Sequence, residues 1–224
     1  MLHQSIFESG TATPVSLPEV VGAFSYTLDV GAGRPAGHSV RSCWIGMHVG
    51  RAFDLSAEDL HDLYYVLLLG QSGFGQLHVS TFVANGIAAI NEHWDGSGQP
   101  GRLSGTDIPI TARVALLAQT VDLAHAGNRT AAAVREVKAK AGTILDPALV
   151  ACFERVAMNG FIWAQLSGPF LDARVAMLAP DYEADPAAPD LLGDITVDLG
   201  RMLRTKGVDR DCVAAFRRAG ITGG

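Results

Sequence analysis

"SAEDLHDLYYVLLLG", residues 56–70, is a stretch that only a helix accommodates well. Leu60, Leu63, Tyr64, Leu67 and Leu68 recur three and four positions apart, which stacks them on one face of a 3.6-residue spiral. Ser56 followed by Asp59 resembles a capping box, and Gly70 marks a C-terminal stop. Working outward, the same period recurs. In "SLPEVVGAFSYTLDVG" (16–31) Val20, Val21, Phe24 and Leu28 share a side, and "HSVRSCWIGMHVGRAF" (38–53) follows a Gly/Pro turn. A helix is expected from about Ser80 to His93 with Val83, Ile87 and Ile90 inward. Pro109 opens a long apolar helix through His125, and Thr130 is expected to cap a short one. "DPALVACFERVAMNG" (146–160) offers Asp146 as N-cap, Pro147 at the first helical position and Gly160 beyond the end. "PFLDARVAML", "PDLLGDITVDLGRML" and "DRDCVAAFRRAG" also read as helical, around a Pro/Ala linker at 180–189. No stretch alternates with period two, so the expected fold is all-α, a helical bundle. The expected organisation is a loose arm over 1–15, a helical domain over 16–160 and a helical extension over 161–224.

Bulk properties narrow the function. A chain of 224 residues with 48% apolar content can bury a sizeable core. Its net charge of −6, with Lys and Arg scattered, argues against a DNA or RNA partner, which needs clustered cations to neutralise phosphates. Cys43, Cys152 and Cys212 have no metal-type or disulfide-frame spacing and read as core thiols of a reducing compartment. The longest apolar run, 63–69, is far short of the roughly 18 residues a membrane span requires. A cytoplasmic protein without a membrane partner is therefore expected.

Local motifs weigh little alone. Gly96, Gly98 and Gly101 spell GxGxxG, but a helix precedes them where a dinucleotide fingerprint needs a strand. Ser97 lacks the strand and sharp turn of a nucleophile elbow. His61 and Asp62 form a literal H-D pair. Steps of about 100° per residue place Asp62 opposite Leu60, Tyr64 and Leu67, so the expectation is a solvated helix face.

A longer arrangement carries more. "EHWDGSGQPGRLSGTDIPITARVALLAQTVD" (92–122) followed by "AGTILDPALVACF" (141–153) resembles the HD-GYP family of cyclic-dinucleotide phosphodiesterases. Glu92, Trp94, Asp95, Gly96, Gly98 and Pro100 match its signature loop, Arg113 matches the helix after it, and Asp122 and Asp146 fall in order downstream. "HSVRS", with His38 and Arg41, is similar to the H-x-x-R near the start of such domains. The resemblance covers roughly 18–155 and implies a helical bundle of HD-domain type. It also implies histidines and aspartates that hold divalent metal ions, which activate water for attack on a phosphodiester.

The ligand set departs from that pattern. Gly70 and Gln71 stand where the family has its H-D pair, Ile90 and Asn91 where it has two histidines, and Gln119 where it has the aspartate of A-D. The segment between "LLLGQSG" and the loop is also shorter than in the family. His38 and Asp122 are the remaining metal-ligand candidates. The expectation is a degenerate domain with a signalling or regulatory role and little or no hydrolysis, no bound cofactor, and a cyclic dinucleotide or a protein as partner. Asp95, Arg102, Asp107 and Arg113 would brace the loop. An active enzyme using manganese or iron at a displaced site of His38, His61, Asp62 and His93 is the alternative, and a structural or truncated helical domain is a third. The apolar surplus mildly favours self-association.

Overall fold

The computed structural model describes residues 17–71, 80–127 and 129–180. They form α1 (Leu17–Gly31), α2 (His38–Ala52), α3 (Ala57–Leu69), α4 (Thr81–Ala88), α5 (Ile110–His125), α6 (Thr130–Ala139), α7 (Pro147–Ala157), α8 (Gly160–Leu166) and α9 (Leu171–Ala176), with a 3-10 turn at Gly105–Asp107. Among the described residues there is no strand, only an isolated bridge between Ala141 and Leu145. The all-α reading is what the structure has.

Helices α2, α3 and α5 form the centre. Ile45, Met47, Leu63, Leu67, Val114, Leu117 and Val121 are all essentially inaccessible to solvent and belong to one continuous core. A Cβ at Gly46 would lie 2.7 Å from Leu67 Cδ1, so a glycine here is what lets α2 close on α3. Helix α1 lies across α2 and α3, and α7 covers the other end of α2 with Leu149 and Phe153 buried. Helices α8 and α9, in the part of the chain expected to be an extension, feed Ile162, Leu166, Leu171 and Val175 into the same core. Trp44 Nε1–H donates to Ile162 O at 3.1 Å, and the Tyr26 hydroxyl donates to Asp172 Oδ1 at 2.7 Å.

Several local expectations change. Ser56 does cap α3, accepting from Asp59 N–H at 3.0 Å. Thr130, by contrast, is the first residue of α6 rather than its cap, and Arg129 ahead of it makes no side-chain capping bond. Helix α4 ends at Ala88, not near His93, because the backbone beyond it turns into a loop held by other bonds described below. Asp62 is buried rather than solvated. Val66 and Leu69 lie on Asp62's side of the spiral, and α4 packs there through Gly86, whose Cβ position would be 2.6 Å from Val66 Cγ2. The face opposite the main stripe thus has its own cover. Of the thiols, Cys43 and Cys152 are buried, and burial pushes both thiols up from their usual range. Cys212 and the helices read over 189–203 and 209–220 lie outside the described residues.

The start of α2 decides where His38 sits. Its N-cap residue is Gly37, in the left-handed region at φ 75°, with no side chain to satisfy the first amides. Asp29 of α1 supplies the missing acceptor. Its carboxylate, fully buried, accepts from Ser39 N–H at 3.1 and 3.2 Å and from the Ser39 hydroxyl at 2.6 Å. Desolvation raises the Asp29 pKa against the lowering effect of those bonds. Replacing Asp29 by Ala orphans the Ser39 amide, so a loss of about 1–3 kcal/mol in urea unfolding is expected. A loss under 0.5 kcal/mol would contradict this capping role.

Candidate functional site

The first constellation joins α2 to α5. His38 Nδ1–H donates to Asp122 Oδ2 at 2.7 Å. Arg41 Nε and a terminal nitrogen donate to Asp122 Oδ1 and Oδ2 at 2.6 and 3.1 Å. Burial alone would raise the Asp122 pKa, but the hydrogen bonds from His38 and Arg41 outweigh it and hold the carboxyl below its ordinary value. The H-x-x-R spacing puts His38 and Arg41 one turn apart on α2, so both reach one acceptor. With Nδ1 committed, His38 Nε2 remains, fully buried and without a hydrogen-bond partner. His125, a turn beyond Asp122, stacks on Trp163 at 4.8 Å, and burial lowers its pKa.

The second constellation is the loop from Asn91 to Pro109. Glu92, buried, accepts the backbone amides of Gly101 and, at 3.0 Å, Leu103, drawing both limbs of the loop together. Trp94 and Asp95 donate their amides to Ile144 and Thr143 at 3.1 and 2.9 Å, which ties the loop to the turn before α7. Asp95 Oδ1 accepts from Ser97 N–H at 2.9 Å, and the Ser97 bonds hold its carboxyl below the usual range. Gly98 is required for space, since a Cβ there would fall 2.2 Å from His93 N. Gly96 takes φ 81°, and the Gln99–Pro100 bond is cis.

Arg113 closes the arrangement. It donates to Asp146 Oδ2 at 2.7 Å and to Ile108 O at 3.0 Å, while its guanidinium lies over the Trp94 ring at 5.8 Å. Asp146 at the same time caps α7, accepting from Ala148 N–H at 2.8 Å. The expected Arg–carboxylate brace exists, but its acid is Asp146. Arg102 and Asp107 are exposed and, among the described residues, their side chains form no ion pair. Glu92 is the brace that sequence spacing missed, because its partners are backbone amides nine and eleven residues away.

Gly70, Ile90 and Gln119, which sequence comparison with the family pattern sets at its ligand positions as an expectation, lie together. A Cβ on Gly70 would lie 2.6 Å from Ile90 Cδ1 and 3.8 Å from Gln119 Nε2. Ile90 is thus packed into the volume that a side chain at 70 would occupy. Gln119, buried, sits one turn before Asp122 on α5.

A family model described as HD domain matches residues 47–149. The 3′3′-cGAMP-specific phosphodiesterase 3 of Vibrio cholerae is 25% identical, with 85% of this chain and 58% of that protein covered. The 3′3′-cGAMP-specific phosphodiesterase 2 of the same organism is 40% identical over 62 residues, 28% of this chain and 11% of that protein. A crystal structure of a cyclic GMP-AMP specific phosphodiesterase from V. cholerae superposes with a TM-score of 0.74 at 26% identity, covering 85% of this chain and 60% of that one. The chain thus carries an HD-domain match over residues 47–149 and is similar in sequence and fold to these phosphodiesterases. It spans less than two thirds of the length of the first relative. That alignment runs over 269 positions, more than the 224 residues of this chain, so the relative carries residues inside the aligned span that this chain lacks.

HD-GYP-like hydrolases work with divalent metal ions, so the donors must be tested against such a group. His38 Nε2, buried and unpartnered, is a competent donor. Asp122 is not a free one, since both oxygens are taken by His38 and Arg41. Gly70 and Ile90 have no donor atom in their side chains, and Gln119 offers a neutral amide. Among the described residues no three His, Cys, Asp or Glu side chains converge to hold a metal ion. Nor is the displaced site of His38, His61, Asp62 and His93 assembled: His61 contacts Asp62 at 3.4 Å on α3, while His93 contacts the Ser97 hydroxyl at 2.9 Å in the loop. The described donors do not fit a divalent cluster.

Gly70 and Ile90 should behave as a coupled pair. Gly70→His alone forces a side chain against Ile90 and is expected to cost about 1–3 kcal/mol. Combined with Ile90→Ala it should cost less than the sum of the two single changes by about 0.5–2 kcal/mol in a double-mutant cycle. Strict additivity would contradict the packing seen here.

Proposed function

We propose that this chain is a regulatory member of the HD-GYP-like family, retaining the helical scaffold and signature loop while hydrolysing cyclic dinucleotides little or not at all. The observation that carries this reading is Ile90 seated against Gly70, with Gln119 beside them, where the family pattern would gather metal ligands. A metal cluster lowers the pKa of its water and neutralises the phosphoryl oxygens, and no neutral or apolar side chain substitutes for that.

The ligand class comes from the relatives, whose names give 3′3′-cGAMP as substrate. A cyclic dinucleotide presents two phosphodiesters and two flat bases. The exposed side of the loop offers Arg102 for a phosphate, and the half-buried indole of Trp94, with Arg113 against it, offers an aromatic edge. A protein partner at the same loop is the other regulatory route. Its rigidity, fixed by Glu92 and the Arg113–Asp146 pair, suits recognition of a constant shape.

Incubation of the purified chain with 3′3′-cGAMP or cyclic di-GMP in the presence of manganese is expected to give no linear dinucleotide above the uncatalysed background. Calorimetric titration of the same nucleotides is expected to show saturable binding that Arg102→Ala weakens. Metal-dependent appearance of linear product would overturn the reading, and absence of binding by either nucleotide would confine it to protein partners.

A further inference from the structure

A second concave surface lies at the C-terminal half of α2, and the signature loop contributes no residue to it. His48 of α2, Arg155 and Val156 of α7, Asn159 in the turn that follows, and Phe161 and Ile162 of α8 line a groove of about 330 Å³. That volume is at the small end of ligand pockets, with room for one ring system rather than the two nucleotides of a cyclic dinucleotide. Its apolar side is aromatic. The His48 and Trp44 rings lie 4.1 Å apart, and Phe161 lies 5.7 Å from Trp44 and 6.4 Å from His48. Trp44 is buried and its Nε1–H is committed to Ile162 O, whereas Phe161 is 48% exposed and has ring surface to offer.

The polar groups at the groove are two donors and one acceptor. Arg155 makes, among the described residues, one long hydrogen bond, 3.4 Å to Ala151 O, and no ion pair. No carboxylate lines the groove. Arg51 adds a second positive charge close enough to act on His48. Asn159 Oδ1 accepts from Phe161 N–H at 3.0 Å, which fixes the side-chain amide and leaves its NH2 to donate. His48 Nδ1–H donates to Trp44 O at 2.7 Å, and desolvation lowers its pKa, so the ring stands neutral with Nε2 as an acceptor. In a chain of net charge −6, a groove with guanidinium groups and no acid selects an anion. A purely apolar occupant would cover Arg155 without pairing it, and the lost hydration of that charge outweighs what one ring contact returns.

We propose that the α2–α7–α8 groove binds a small planar anion, an aromatic ring that carries a carboxylate and an N–H or O–H donor. The ring lies against Phe161, the carboxylate accepts from Arg155 and Asn159, and the donor meets His48 Nε2. This gives the chain a small-molecule ligand independent of any nucleotide or protein bound at the signature loop.

Titration of the isotopically labelled full chain with indole-3-acetate, read by amide magnetic resonance, tests it. Saturable shifts are expected within 48–52 and 155–162, with half-saturation at or below about 1 mM. The methyl ester, which lacks the charge, should bind about tenfold more weakly or worse, and so should indole-3-acetate to Arg155→Ala. Arg155→Lys should lose less, and 1-methylindole-3-acetate, which lacks the N–H, should bind more weakly than the parent. Unchanged amide positions over α3 and α5 in Arg155→Ala show that the variant is folded. Absence of saturable shifts in the groove would overturn the proposal. Binding indifferent to both the ester and Arg155→Ala would also overturn it, as apolar adsorption only, and shifts centred on 91–109 would do so by moving the ligand to the signature loop.

Discussion

A single buried carboxylate, Asp122, holds the centre of this protein in register. It accepts from His38 and twice from Arg41, fastening α5 to the first turn of α2. Asp29 in turn caps that first turn from α1, so two acids inside the bundle fix the direction in which His38 is presented. Each carboxylate is desolvated, and each is tolerable because both of its oxygens accept hydrogen bonds. Breaking one partner would leave charge without compensation in the core. The surrounding apolar contacts supply most of the burial; these polar links decide which arrangement of helices the burial selects.

The signature loop is built on the same logic with different atoms. Glu92 gathers backbone amides from the far limb, Trp94 and Asp95 hang the near limb on the turn before α7, and Arg113 locks the indole to Asp146. Every one of these bonds is structural, and none needs a metal. The loop's bracing is therefore independent of the contact between Ile90 and Gly70. Scaffold and chemistry are separable in this fold because different side chains carry them.

Much of this was legible from the residues. Helical period, the Ser56 and Asp146 caps and the absence of period-two alternation fixed the class of fold and most helix positions, because those signals are local. The H-D dipeptide on α3 marks the limit: Asp62 is buried because α4 also packs on α3, and a helical wheel drawn on one face cannot see a second cover. The loop braces divided along the same line. Arg113 could be expected to pair, but its partner Asp146 lies thirty-three residues on, and Glu92 binds amides that carry no sequence signature. Asp29 has no local signal for the same reason, being a cap supplied from another helix. What sequence spacing shows is neighbours along one element; what it hides is which elements meet.

The account rests on His38 being a structural residue, its Nδ1 bound to Asp122 and its Nε2 enclosed rather than coordinated. Nuclear magnetic resonance of the imidazole, with manganese added in stoichiometric amount to the purified full chain, reads this directly. The expected result is that the His38 ring signals keep their width as the ion is added. Selective broadening of the His38 ring at one equivalent of manganese would place an ion at its Nε2 and contradict the account.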